Sequence, residues 1–523
     1  MKKKILFLAA FLGSTLCYGQ GEMNALDYSR NQATGSARGM AMGGAFGALG
    51  GDATGIASNP AGIALYRSSE VMTTMNFSST SVETNLQGSI MNESKFKFNF
   101  DNFSYVSYYP TGGDAVTSFN FGFAYNRVKN FDRNYRSKGQ GLQGSLTDYI
   151  ATITSNANIH PDDLSSYDKN GKYDSWPYEQ GYPWLGVLGY NAGLVEYQEG
   201  SNPYDYRSPL KEGNVVDSRL NVSERGAIET YDFSGGLNIS HLFYMGATVS
   251  ITDLRYSLSS THSEDFPGIG NRGFDLNNSL ETEGSGFGFS LGGIFRPLNA
   301  IRLGAAYHSP RWYNMTDYFD AKAYPINMTG KKNAITPDRA YTDYKFQTPY
   351  RWVFSGAAIL GTSAVLSVDY ELTDYSGMKF KDRDGFAYSN NKFIESDFRM
   401  ASTLKSGLEL RLLPQVSVRA GYSWSQSPLT NDFKAGNIME VITEGTIPHY
   451  ILEGDVHSVS MGLGCKLTPQ FYMDLAFVYR TQSDKLYSFS PMYGDDGVPL
   501  FSTASAKLKQ ETMRGLLSLG YKF

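Results

Sequence analysis

Chemistry in this chain could reside in six histidines, two cysteines and a set of charged residues at strand-like spacing. His160, His241, His262, His308, His449 and His457 are scattered, and none falls in a zinc-ligand spacing such as His-Glu-x-x-His. No nucleophile elbow for a catalytic serine is expected. Cys465, between Gly464 and Lys466, reads as a packed strand residue. No metal, cofactor or enzymatic activity is therefore expected. The charged positions say more. With alternate residues facing one interior, Arg296, Arg302, His308, Arg351, Lys405, Glu409, Arg411, Arg419, Asp474 and Arg480 point inward, with Asp369 and Glu371. Such a set makes an ion-pair network that keeps a lumen wet and rigid. Its sharper use is one arginine (Arg351, Arg419 or Arg302) pairing with a lipid carboxylate by a charge-assisted bond.

The elements that must position these groups are strands. Period-two alternation recurs beyond Ser68. Phe119, Phe121, Phe123 and Tyr125 share one face, with Asn120, Gly122 and Ala124 on the other. Val416, Val418, Ala420, Tyr422 and Trp424 oppose Arg419, and Phe471, Met473, Leu475, Phe477 and Tyr479 oppose Asp474 and Arg480. Fourteen such segments can be read, at about 69–78, 95–109, 116–128, 227–240, 242–257, 284–296, 299–309, 346–360, 363–374, 400–413, 415–427, 450–467, 469–482 and 509–523. Short links such as Ser240-His241 and Pro297-Leu298 alternate with long ones at about 79–94, 129–226, 258–283, 310–345, 375–399, 428–449 and 483–508. An even strand number with turns on one side and loops on the other predicts an all-β, transmembrane antiparallel barrel, with the N-terminus and Phe523 on the turn side.

Composition agrees. The chain has 523 residues, 37 Tyr and 32 Phe, more aromatics than a soluble core needs and suited to interfacial girdles. No apolar run long enough for a membrane helix follows the N-terminal region. A net charge of -5 argues against a nucleic-acid partner. Lys2-Lys3-Lys4, the apolar run Ile5 to Leu12 and Cys17-Tyr18-Gly19 read as a signal peptide over 1–19, cleaved before Gln20. Loss of Cys17 leaves Cys465 alone and excludes an intrachain disulfide.

Residues 20–67 differ from the rest. Six glycines fall between Gly39 and Gly51, a composition that needs enclosure to be ordered. Met40, Met42, Phe46, Leu49 and Ile56 are spaced for short helical turns inside a lumen, so the segment reads as a hatch within the barrel formed by 68–523. The stretch SARGMAMGGAFGALGGDATGIASNPAGIA (Ser36 to Ala64) resembles the N-terminal hatch of the FadL/TodX family of outer-membrane transporters, with Asn59-Pro60-Ala61 at the family's Asn-Pro-Ala motif. RLGAAYHSPRWYN (Arg302 to Asn314) and the region from Phe346 to Phe380 are similar to family strands.

The resemblance implies a fourteen-stranded barrel in the bacterial outer membrane that admits hydrophobic small molecules, such as long-chain fatty acids or aromatic hydrocarbons, by passive diffusion. It also implies a kinked third strand, which makes Gly122 the candidate position for a sideways opening into lipid. Phe523 ends the chain as the terminal signal read by the barrel assembly machinery does, and the expected state is a monomer in outer-membrane lipid. Two other readings stay open: a receptor for haem or another hydrophobic cofactor, and a non-transporting surface protein that binds partners through its loops. The long loop 129–226, with Trp176, Trp184 and an apolar run to Leu194, is either a folded cap or a partner-binding surface.

Overall fold

Alternation becomes a closed wall in the computed structural model, which describes residues 21–168, 171–199, 204–211, 213–328, 332–435, 440–494 and 498–523. The proposed signal peptide lies outside the described residues. Fourteen wall strands run in order among the described residues. They are β1 (Glu70–Leu86), β2 (Ser89–Pro110), β3 (Val116–Asn130, continued by Arg133–Leu142), β4 (Val216–Ile239), β5 (Phe243–Phe266), β6 (Arg272–Leu298) and β7 (Ile301–His308, continued by Trp312–Ile326). The second half comprises β8 (Ala340–Gln347, continued by Arg351–Leu360), β9 (Ala364–Asp374), β10 (Met400–Arg411), β11 (Val416–Ser425), β12 (Val456–Lys466), β13 (Phe471–Tyr487) and β14 (Ser505–Lys522). Each pairs antiparallel with the next, and β1 pairs with β14 from Glu70↔Lys522 to Asn85↔Lys507. Closure removes the sheet edge, which lipid could not hydrate.

The strand phase follows the sequence expectation. Phe98, Phe121, Phe233, Phe289, Phe354 and Phe477 are exposed on the outside, while Asn120, Asp369, Glu409, Arg419 and Asp474 are buried on the inside. Outward rings pair across neighbouring strands, as in Phe123–Phe233 at 5.3 Å and Phe287–Trp312 at 5.2 Å.

The links differ from expectation on the long side. The span 79–94 is no loop: β1 and β2 continue to a two-residue turn at Gln87 and Gly88, whose φ values of 51° and 91° suit a tight hairpin. Much of 258–283 and 310–345 is likewise strand, and β3 and β4 shorten the largest loop to residues 143–215. Polar residues on both faces hide these extensions from an alternation test. Within that loop, α4 (Leu146–Asn156) starts at a capping box made by Ser145 and Asp148. A second helix, α5 (Trp184–Ala192), ends at Gly193 with φ of 70°, and Trp184 packs on Phe319 of β7 at 4.7 Å. The loop folds as a cap on the extended strands.

The start of the described chain also departs from expectation. Phe523 donates its N–H to Ser69 at the turn side, but Gly21 lies against Ile442 in the long loop after β11. Residues 21–67 therefore run down the lumen from the loop side to the start of β1.

Candidate functional site

The inner segment consists of α1 (Glu22–Ser29), α2 (Ala37–Ala41), α3 (Ala53–Ser58) and a 3₁₀ helix at Pro60–Leu65. Short polar side chains set its turns. Ser36 caps α2 through Gly39 N–H at 2.9 Å, and Asp52 caps α3 through Thr54 N–H at 2.9 Å. Asn59 is fully buried and serves both the turn and the wall. Its Oδ1 accepts from Ala61 N–H at 3.0 Å, and its Nδ2 donates to the carbonyls of Gly47 (2.9 Å) and Gly293 of β6 (3.2 Å). Pro60 supplies the fixed φ that starts the 3₁₀ helix. Gly292 leaves room for this corner, since a Cβ there would lie 1.9 Å from Asn59 Oδ1.

The wall reaches inward to the same segment. Asp369 of β9 accepts from Phe46 and Gly47 N–H, both at 2.9 Å. Asn120 of β3 donates to the carbonyls of Ile63 (2.6 Å) and Tyr66 (3.1 Å). Ser518 of β14 accepts from Ala37 N–H at 2.7 Å, and Ser460 of β12 accepts from Gly43 N–H at 3.1 Å. Arg38 forks onto Glu409 of β10 at 2.8 and 3.1 Å. Backbone groups that would be orphaned in a lumen thus find partners in the wall.

Above this floor lies a cavity of about 230 Å³, bordered by Ala33, Met40 and Gly43 below and by charged groups around it. Arg351 and Lys405 share the single carboxylate of Glu371, with Arg351 at 3.6 Å. Arg30 pairs with Glu453 and Arg133 with Glu224, while Arg480 donates to Gln482 at 2.8 Å. His308 lines the cavity but is engaged by the Ser58 carbonyl at 3.0 Å.

Of the three arginines the sequence offers for a ligand carboxylate, Arg351 alone lines this cavity. Arg302 donates to the Leu49 carbonyl of the inner segment. Arg419 is held by Glu409 (2.7 Å) and Asp474 (2.6 Å) with its side chain 6% exposed, so both carboxylates already occupy it. Gly122 sits in unbroken ladder, opposite Val106 and Ser234, and a Cβ there would meet Ile63 at 2.9 Å. It makes room for the inner segment rather than marking a kink. The spelling Gly-x-Ser-x-Gly does occur, at Gly288 to Gly292, but it runs inside β6 and not at a strand-to-helix turn, so it forms no elbow.

The wall parts elsewhere. The β2–β3 ladder ends at Asn102↔Asn126, and from there to Ser89 the described pairings join β2 to β1 alone. Two bulges flank the break. Asp101 is the extra residue where the β1–β2 register shifts, and Val128 is the extra residue in the β3–β4 register. Beyond Asn130, β3 leans inward and Arg136 accepts at its carbonyl from Thr84 of β1. Sequence reasoning missed Lys95, Lys97, Lys129 and Asp132 around this seam. The available signal is the alternation of Lys95, Lys97 and Asn99 with Phe96, Phe98 and Phe100, which puts the two lysines on the inward face. It could not show that their strand loses a neighbour.

A closed barrel, an enclosed N-terminal segment and a parted second and third strand invite comparison with known proteins. The profile for "Outer membrane protein transport protein (OMPP1/FadL/TodX)" matches residues 233–505. The chain belongs to this family. Its place is accordingly the outer membrane. Among solved structures, the fold is similar to a Pseudomonas aeruginosa FadL homologue at 15% identity, covering 95% of this chain and 100% of that one, with a TM-score of 0.54. It is also similar to the P. putida toluene transporter TodX at 12% identity, covering 94% and 99%, with a TM-score of 0.50. At these identities the likeness is one of fold. No curated protein matches the FadL/TodX-family chain by sequence.

Proposed function

We propose that this FadL/TodX-family barrel takes up hydrophobic small molecules passively, that its preferred cargo is an amphiphile with an anionic head, such as a long-chain fatty acid, and that the cargo leaves sideways between β2 and β3. The observation that carries the reading is the pairing of a docked hatch with a parted wall. The hatch blocks the lumen below the cavity through bonds to β3, β6, β9, β10, β12 and β14. The seam beside the same cavity lacks backbone rungs. Apolar cargo gains its free energy by entering lipid, at about 25 cal/mol per Å² of apolar area, not by crossing to water. A side exit uses that gain.

The head-group preference rests on Arg351 and Lys405, two cations on one carboxylate at the cavity wall. A second anion there completes the pairing, whereas toluene, the compound named for the TodX neighbour, offers no charge to match. The test is uptake by the purified barrel in liposomes loaded with an intravesicular fatty-acid sensor. Oleate should enter faster than through protein-free liposomes, and faster relative to that baseline than toluene does. Equal rates with and without the protein for both compounds would remove the transport reading.

A further inference from the structure

We propose that Asp132 is the pin of an ionic latch closing the seam between β2 and β3, and that a carboxylate-bearing amphiphile opens the seam by taking over the lysines that Asp132 holds. The inference rests on the proposed side exit and adds the groups that control it.

Side chains, not backbone, cross the seam. Lys95 and Lys97 of β2 reach Asp132, just after the bulged end of β3, with Nζ to Oδ1 distances of 3.1 and 3.4 Å. Lys95 also donates to the Glu224 carbonyl of β4 at 2.9 Å. Arg136 pairs with Glu93 at 2.9 Å nearer the loop side, and Arg127 donates to Asn99 nearer the membrane side. One oxygen of Asp132 therefore faces two ammonium groups from the strand across the gap. The other cations beside it are already committed, Lys129 to Asp27 at 3.2 Å and Arg133 to Glu224.

The latch also lies where cargo could reach it. Asp132, Lys129 and Arg133 line the cavity, and the Lys97 side chain is 41% exposed while that of Asp132 is 10% exposed. It spans the boundary between lumen and outside, next to the outward rings of Phe98 and Phe100. A backbone ladder would hold whatever the lumen contained. The partly exposed Lys97 arm is weak and exchangeable, and an incoming carboxylate replaces Asp132 without leaving bare lysines. A neutral hydrocarbon cannot make that exchange. The seam thus acts as a charge filter as well as a door.

The test uses the full-length protein with Cys465→Ser, and heat-modifiable mobility confirms folding of each variant. In liposomes, Asp132→Asn should raise oleate uptake about fivefold, the scale of a lost surface ion pair, and reduce the preference for oleate over its methyl ester to the part that Arg351 and Lys405 supply. Asp132→Glu should retain both wild-type properties. Bridging Lys97→Cys and Asp132→Cys with a reducible bifunctional thiol reagent should block uptake, with recovery on reduction. Unchanged uptake after bridging, or an unchanged ester preference in Asp132→Asn, overturns the latch. A cargo-independent measurement separates this from failure of the transport reading: spin labels at Asn92→Cys and Lys138→Cys report the width of the seam. In Asp132→Asn the distance distribution should broaden to longer values even if no cargo crosses. An unchanged distribution overturns the proposal.

Discussion

Gln32 of the hatch donates its backbone N–H to the Val128 carbonyl of β3 at 2.8 Å, taking a place on that strand's edge that β2 has left. Its side chain reaches the Asn130 carbonyl at 3.4 Å, and Asp27, one turn earlier in α1, accepts from Lys129 at 3.2 Å. The segment that plugs the lumen is thus the segment that caps the free edge of the seam. Displacing this segment would therefore also strip that edge of its partners.

Replacing Gln32 with proline removes that N–H without adding charge. The lost bond is worth about 1 kcal/mol, enough to change the open fraction several-fold. Gln32→Pro should raise single-channel conductance and hasten protease cleavage within residues 21–67, with the barrel still heat-modifiable. Parental conductance in the variant would dissociate the hatch from the seam.

A second prediction concerns the Asn59 corner. Asn59→Ala leaves the Gly47 and Gly293 carbonyls and the Ala61 N–H without their partner, costing about 1–3 kcal/mol of hatch docking. Gly292→Ala forces a Cβ onto Asn59 Oδ1 from the other side. Both variants should loosen the hatch to a similar degree, read as increased hydrogen exchange of residues 36–65. Because they disturb one contact, the double variant should be little worse than either single one.

How much of this was legible in the sequence depends on how far apart the cooperating residues lie. The wall strands and their phase are local properties, written in alternations such as Phe471 to Arg480, and all fourteen were readable. The hatch was readable from its glycines and from Asn59-Pro60. The docking of Asn59 on Gly293, 234 residues away, was not, because a strand glycine looks the same whether it faces lipid or plug. The seam was hidden for a related reason. Alternation specifies which face a side chain takes, whereas pairing of β2 with β3 is a relation between strands that two single-residue bulges can end. Gly122 drew attention as a glycine in strand 3, yet the unpaired stretch begins just beyond Asn126, among residues with nothing unusual in their composition.

Acidity should tighten the hatch. Glu444, in the loop after β11, accepts from Asn24 of α1 at 2.8 Å, and burial together with Asp317 raises its carboxyl well above the ordinary 4.5. The groups facing this pair are the hydroxyls of Tyr28 and Tyr344, and among the described residues no cation balances it there. Glu22, buried beside Asp397 and Glu440, is raised in the same direction. The native state then holds protons on these two groups that the unhatched state releases, so their contribution to docking is complete below 4.5 and is lost as pH rises towards the raised values. Protease protection of residues 21–30 should fall as pH rises above the ordinary carboxylate range, and Glu444→Gln should flatten the dependence. Protection that increases with pH would reverse the sign and refute the account.

The last prediction separates two arginines that look alike in sequence. Arg419 is enclosed by Glu409 and Asp474, and Glu409 also holds Arg38 of the hatch. Removing its guanidinium leaves two buried carboxylates short of a partner, a loss of about 3–5 kcal/mol. Arg419→Ala should therefore lower the urea midpoint of the barrel in lipid vesicles and disturb the hatch. Arg351 stands at the cavity wall and shares Glu371 with Lys405, so Glu371 keeps a cation when Arg351 is lost. Arg351→Ala should leave the urea midpoint near wild type and weaken oleate binding about fivefold to tenfold, the usual scale for one charge-assisted bond. Binding of the methyl ester should scarcely change. If Arg351→Ala alters stability and not oleate affinity, the lumen charges serve the wall alone, and the head-group preference must be abandoned.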